Sequence, residues 1–395
     1  MTIAVELEKT MERSSWIRKM FEAGARLKAE HGADKVFDFS LGNPNLEPPK
    51  AFKTAMKKAV EDSGTGLHGY MPNAGYPFVR AAVAATMAGI QKKPVTAEDV
   101  LMTCGAAGGL NIIFKALLNP GEEVLVPTPH FVEYGAYAAN HGGVLKTCAT
   151  KPDFSLDLEA MAAAISDKTR IVLVNSPNNP TGAVYSRKEL AGLGCLLTEK
   201  SKALGKTLYL LSDEPYTRII FDGTEVPPMF EFYPDTLVAS SHSKDLSLAG
   251  ERIGFVTISP EARYRTRLAD AMTLANRILG YVNAPAMIQR VLPDLQNASV
   301  DVAAYKRKRD ILCQGLAEAG YTFNIPKGTF YLFVKSPIAD DVAFVQQLQK
   351  ELILAVPGSG FGGPGYVRLA FCVADETIVN AIPGFKRAIT AVQER

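Results

Sequence analysis

One lysine stands where an amine can do chemistry. Lys244 follows an apolar run, Leu237 to Ala239, and is preceded by the small or polar side chains Ser240, Ser241, His242 and Ser243. Arg252 comes eight residues later, between Gly250 and Gly254. A lysine alone on a surface loop is a solvated charge. Hydroxyls, a planar guanidinium fork and glycines around it suit an anion-binding pocket with an amine inside. Three more polar clusters follow apolar runs in the same manner: Cys104-Gly-Ala-Ala107, Asn178-Asn-Pro-Thr181 and Asp213-Glu-Pro-Tyr216. An unprotonated lysine amine attacks carbonyls or forms Schiff bases.

The surrounding pattern says what positions these clusters. From about residue 77 the chain alternates helix and strand. Val100–Thr103, Glu123–Pro127, Arg170–Asn175, Thr207–Ser212, Leu237–Ala239 and Phe255–Ile258 read as strands, with Val144–Thr147 a weaker one. Helices are expected at Lys50–Val60, Pro77–Ile90, Asn111–Leu118, Phe131–Ala139, Leu158–Ile165 and Arg187–Gly205. Strands that are apolar throughout belong to a mostly parallel sheet covered on both faces. In such sheets ligands bind beyond the carboxyl ends of the strands, and the polar clusters all fall there. The expected fold is therefore α/β, a large domain with a mostly parallel seven-stranded sheet between helices. A smaller α+β domain is made from both chain ends. Residues 1–47 form an arm and part of the small domain, 48–290 the large domain and 291–395 the small C-terminal domain. Beyond residue 260 the chain becomes helical, with Ala262–Leu279 and Asn297–Ala319 reading as helices, and Thr329–Val334, Ile353–Val356 and Tyr366–Phe371 follow as strands.

The totals exclude several classes. The 395 residues carry a formal net charge of +2, with 47% hydrophobic and 21% charged side chains. That balance gives no reason to expect nucleic acid or an anionic membrane as partner. No apolar run approaches the roughly 18 residues of a membrane span. The start of the chain lacks the apolar core of a signal peptide, so the expected setting is cytoplasmic. The five cysteines are widely spaced without a Cys-x-x-Cys pair, and the five histidines show no metal-ligand spacing. The cysteines read as buried small apolar residues and no protein metal site is expected. The basic run Lys306-Arg-Lys-Arg309 reads as a solvated helix face.

An amine between an arginine and hydroxyls suggests an electrophilic cofactor carrying a phosphate. Pyridoxal 5′-phosphate fits, since it needs a lysine for its aldehyde, a phosphate cup and a carboxylate for its ring nitrogen. Ser241-His-Ser-Lys244 through Gly250-Glu-Arg-Ile-Gly254 resembles the lysine-site signature of the class I/II aminotransferases, pyridoxal-phosphate enzymes of the aspartate-aminotransferase fold. Asn179-Pro-Thr-Gly182, Asp213-Glu-Pro-Tyr216, the turn at Gly105-Ala-Ala107, Tyr70-Met-Pro-Asn-Ala-Gly75 and Tyr366-Val-Arg-Leu-Ala-Phe371 resemble further family motifs, in family order.

The resemblance implies a role for each matched residue. Lys244 holds the cofactor as a Schiff base and, once substrate displaces it, moves the proton between substrate and cofactor. Asp213 pairs with the ring nitrogen, and Tyr216 and Asn179 hydrogen-bond the phenolic oxygen. Arg252, Ser241, Ser243 and the backbone donors at Gly105, Ala106 and Ala107 grip the phosphate. Phe131 stacks on the ring, and Tyr70 reaches the phosphate across a homodimer interface. Arg368 clamps the substrate carboxylate, with Gly42 and Asn179 on the substrate side. His68 and His242 read as pocket lining. The implied activity is amino transfer between an amino acid and a 2-oxo acid. A lyase of the same fold, such as a carbon–sulfur β-lyase, shares every one of these residues and is the alternative. Family members that prefer dicarboxylates carry an arginine where this chain has Ile278, and Arg277 is one residue away, about 100° around a helix. The glycine-rich Pro357–Gly365 is expected to be a mobile lid.

Overall fold

Apolar strands build the centre of the molecule. The computed structural model describes residues 3–4, 7–8 and 16–394, so most of the expected N-terminal arm lies outside the described residues. In chain order the strands are β1 Phe37–Asp38, β2 Val100–Thr103, β3 Glu123–Thr128, β4 Val144–Ala149, β5 Thr169–Asn175, β6 Tyr209–Asp213, β7 Thr236–Ser241, β8 Gly254–Ile258, β9 Tyr331–Lys335, β10 Ile353–Leu354, β11 Val356–Pro357 and β12 Tyr366–Ala370. Seven of them form one sheet in the order β2-β8-β7-β6-β5-β3-β4. β8 runs antiparallel to both neighbours and the other pairings are parallel.

Both faces of this sheet are covered. On β5, Ile171 and Leu173 pack into one apolar cluster and Val172 and Val174 into another on the opposite side. Burial on both faces removes the need for polar alternation. Each such side chain contributes about 1.5–3 kcal/mol. The helices that cover the faces carry local start and stop signals. Helix Arg187–Leu204 begins with a reciprocal Ser186–Glu189 capping box and ends at Gly205 with φ 63°.

The remaining strands form two small sheets, β1-β10 and β11-β12-β9. β1 comes from near the start of the chain and β10 from near its end, and they pair in parallel. A third apolar cluster lies here, with Phe39, Tyr305, Phe330, Phe344 and Phe385 among its members.

Several expectations change. Helix Gly105–Leu117 starts six residues before the expected Asn111. Helix Asp375–Gln393 has no counterpart in the sequence reading, because Pro383 lies inside it and reads as a breaker. The basic run at 306–309 is solvated only in its first half, at Lys306 and Arg307. Lys308 and Arg309 are both buried, Lys308 on Asp375 and the Val373 carbonyl, Arg309 on Asp222 and Asp310. In the Pro357–Gly365 segment Phe361 is fully buried and a Cβ on Gly358 would lie 2.2 Å from the Gly363 carbonyl oxygen, while Ser359, Gly362 and Pro364 are exposed. Among the cysteines, Cys195 is exposed and Cys104 half-buried, a departure from the expected burial.

Candidate active site

Parallel strands end side by side, and their last residues converge. Asn175 closes β5, Asp213 closes β6 and Ser241 closes β7, with Lys244 in the turn beyond. Arg252 stands just ahead of β8 in a left-handed backbone conformation, φ 52°. Helix Gly105–Leu117 points its N-terminus at the same place, where unpaired N–H groups and the helix dipole favour an anion. β12 brings Arg368 from the smaller sheets.

These groups share one cavity of about 290 Å³. Its wall contains Gly42, Ala106, Ala107, Phe131, Asn179, Asp213, Tyr216, Ser241, Ser243, Lys244, Arg252 and Arg368, all singled out in the sequence. Gly105 stands immediately behind the wall, where a Cβ would lie 2.7 Å from Arg252 Nη2. Tyr70 is elsewhere. It is 94% exposed and lines a surface hollow with His68 and Tyr281. His242 is buried in a separate, smaller cavity. Arg277 and Ile278 are both exposed and outside the cavity wall.

Burial sets the electrostatics. Lys244 Nζ donates to the Gly42 carbonyl at 2.8 Å, and desolvation pushes its amine down to about 8. Desolvation pushes the Asp213 carboxyl up to about 6, against the pull of a hydrogen bond from Tyr134. That bond, Tyr134 Oη to Asp213 Oδ2, is 2.6 Å. Asp213 Oδ1 is buried with no partner. An unpartnered buried carboxylate oxygen costs free energy, and here it belongs to a residue of the cavity wall.

Arg368 is a buried cation held by neutral groups. It donates to Asn179 Oδ1 at 3.1 Å and to the Ser40 carbonyl at 2.7 Å. Its guanidinium lies 4.5 Å from the Tyr331 ring centroid and 4.6 Å from that of Phe361. Its Nε has no partner, and burial draws its pKa below the ordinary value. A buried guanidinium without a carboxylate among these partners is prepared for an anionic ligand. Arg252 is exposed and donates to the Ala249 carbonyl at 2.9 Å, leaving further N–H donors at the cavity.

Several contributing residues escaped the sequence reading. Tyr134, three residues after Phe131, orients Asp213. Tyr331 accepts a 3.3 Å hydrogen bond from Tyr216 and closes over Gly42, where a Cβ would lie 1.8 Å from its hydroxyl oxygen. Asn175 donates to the Asp213 carbonyl at 2.8 Å and accepts from the Asn179 N–H at 2.7 Å, tying β5 to β6. Only the aromatic just before Tyr134 carried a signal, and it pointed to ring stacking rather than to hydrogen bonding.

An amine and an unpartnered carboxylate oxygen at the carboxyl ends of parallel strands share one cavity with Arg252 and with Arg368 from β12, the arrangement of an α/β enzyme site with two cations facing the ligand space. The family model for aminotransferase class I and II matches residues 34–384, and the chain belongs to that family. It is 32% identical over 366 residues to the aspartate/prephenate aminotransferase of Thermus thermophilus, covering 91% of this chain and 92% of that one. It is 30% identical over 388 residues to the aspartate aminotransferase of Pyrococcus horikoshii, covering 95% of each chain. An amino transferase structure from Eubacterium rectale matches with a TM-score of 0.96 and 37% identity over 99% of both chains. The chain is an aminotransferase. Among the described residues no group of three or more His, Cys, Asp or Glu side chains could hold a metal ion. No helix among them is long and apolar enough to cross a membrane.

Proposed function

We propose that the cavity binds pyridoxal 5′-phosphate and that the chain uses it to move an amino group between an amino acid and a 2-oxo acid. The observation that carries this reading is the unpartnered Asp213 Oδ1 in the wall that also holds the Lys244 amine. A protonated ring nitrogen would supply the missing donor. When bound, the cofactor supplies an aldehyde that condenses with amines and a ring that withdraws electrons from the substrate α-carbon.

The chain's own residues do the rest. Lys244, depressed to about 8, keeps roughly a tenth of its amine neutral at pH 7. It therefore acts as nucleophile and as the carrier of the α-proton. Asp213, ionised near neutrality, keeps a proton on the ring nitrogen. Tyr216 and Asn179 donate to the ring's oxygen. Arg252, Ser241, Ser243 and the N–H groups at the start of helix Gly105–Leu117 hold the phosphate. Phe131 covers the ring face. Arg368 takes the substrate carboxylate, with Gly42 giving the close approach that a side chain would block.

Further features extend the reading. Tyr70 and the exposed Phe78, Leu274 and Ile278 suit burial against a second copy of the chain, with Tyr70 completing the partner's phosphate site. Residues 48–290 serve as the cofactor-binding domain, and residues 1–47 with 291–395 as the smaller domain that brings in Arg368. The five free cysteines suit a reducing, cytoplasmic compartment. The test is a panel of amino donors against 2-oxoglutarate and pyruvate with ammonia followed in parallel. Amino transfer without ammonia is expected. Ammonia release in the absence of an oxo-acid acceptor would contradict the reading.

A further inference from the structure

Behind the cofactor-facing residues lies a second cavity of about 20 Å³, bordered by Glu214, Arg218, Ser240, His242 and Asp245. Chain alternation puts it there. Asp213 borders the large cavity and Glu214 the small one. In the neighbouring turn, Ser243 and Lys244 border the large cavity, and His242 and Asp245 the small one. Lys244 and Asp213, assigned to the cofactor's aldehyde and ring nitrogen, thus have buried ionisable neighbours beneath them.

These neighbours are incompletely partnered. Glu214, His242 and Asp245 are 4%, 5% and 6% exposed. His242 Nδ1 lies 3.2 Å from Asp245 Oδ2, but His242 Nε2 and Asp245 Oδ1 are buried without partners. A proton on Nδ1 facing the carboxylate leaves Nε2 as an acceptor. Glu214 Oε2 accepts a 3.3 Å bond from Gln91 Nε2. The space has room for one water, which needs two to four polar partners, and these side chains supply them.

We propose that Glu214, one buried water, His242 and Asp245 form a hydrogen-bonded chain beneath the site, and that these three side chains are positioning residues for Lys244. The positioning claim rests on the cofactor reading above. The groups that face Glu214 are Asp213 on its own strand, Gln91 from helix Pro77–Gln91, and Arg218, His242 and Asp245 across the small cavity. Arg218 Nη1 is 3.9 Å from Asp245 Oδ2 and is also tied to the Ala298 carbonyl. Burial, with the charge of Asp213 adding to it, pushes the Glu214 carboxyl up to about 7. Its protonated form supplies the O–H donor that the water or Nε2 accepts.

Two isosteric variants of the full chain test this. Glu214→Gln keeps the shape and mimics the protonated carboxyl. A carboxyl raised in the folded state contributes stability that is lost as pH rises through its folded pKa. Without added cofactor, the thermal midpoint of Glu214→Gln should therefore rise relative to wild type between about pH 5 and about pH 8. Parallel midpoints across that range would overturn the chain. Asp245→Asn removes the charge that orients His242. With pyridoxal phosphate bound, its visible absorption band should titrate about one pH unit or more away from the wild-type position. A titration unmoved by Asp245→Asn would overturn the positioning role. A wild type that gains no band with pyridoxal phosphate would overturn the cofactor reading and the positioning claim together, while the midpoint comparison still decides whether Glu214 is the protonated donor that the buried chain requires.

Discussion

Asp213 is held between two opposing influences. Burial raises its carboxyl to about 6, and the Tyr134 hydroxyl acts against that rise. In the cofactor-free chain its contribution to stability is full below about 4 and is lost as pH rises through about 6. The ionised form is the one that retains a proton on a ring nitrogen, so cofactor affinity should fall as pH drops through about 6. Tyr134→Phe removes the donor and leaves both carboxylate oxygens bare. We expect its cofactor Kd to weaken by roughly 10- to 100-fold, the loss of one charge-assisted bond, and the fall with pH to begin at a higher pH. Fluorescence titration of pyridoxal phosphate across pH measures both. Affinity and pH profile equal to wild type would show that Tyr134 does not orient Asp213. Asp213, Lys244 and Arg252 were recognisable in the sequence because they fall in motifs that resemble those of the class I/II aminotransferases, in family order. Tyr134 was not, because a tyrosine beside Phe131 is as suited to packing as to donating, and its partner lies 79 residues away.

Helix Gly105–Leu117 shows how tertiary packing overrides local preference. Its first turn holds several glycines, each costing about 1 kcal/mol relative to alanine, so the sequence pattern starts the helix at Asn111. The glycines are needed for close approach: a Cβ on Gly109 would sit 2.9 Å from Val256 Cγ2. Gly105 has φ +70° and faces Arg252. Gly105→Ala adds a left-handed backbone cost of about 1–2 kcal/mol and displaces the Arg252 guanidinium. The expected result is a lower unfolding midpoint and at least about tenfold weaker cofactor binding, read by calorimetry and titration. Cofactor affinity unchanged at a lowered midpoint would separate this glycine from the phosphate site. The positions of the strands were readable from apolar runs but their order in the sheet was not, and helix Asp375–Gln393 was hidden by Pro383 and the buried Lys308 and Arg309 by their charge. Asp310 is adjacent to Arg309, but Asp222 and Asp375, which also neutralise those cations, arrive from distant segments that no local pattern announces.

At the scale of the whole molecule, the single chain leaves Tyr70 and Arg252 exposed while Lys244, Asp213 and Arg368 are enclosed. The proposed second copy, supplying Tyr70, would account for that division. Mixing Tyr70→Phe with Lys244→Ala chains tests it. In a mixed dimer one site combines the intact Lys244 of the first chain with the intact Tyr70 of the second. Cofactor binding and turnover should recover toward one site per mixed dimer, whereas Tyr70 acting within its own chain would give no recovery.

Every role proposed for the cavity depends on Lys244 being the amine that takes the cofactor. Borohydride reduction of the full chain with pyridoxal phosphate, followed by peptide mass spectrometry, reads this directly. A single stable adduct on Lys244, absent from Lys244→Ala along with the visible band, is the predicted result. An adduct on a different lysine, or a band that survives in Lys244→Ala, would contradict it.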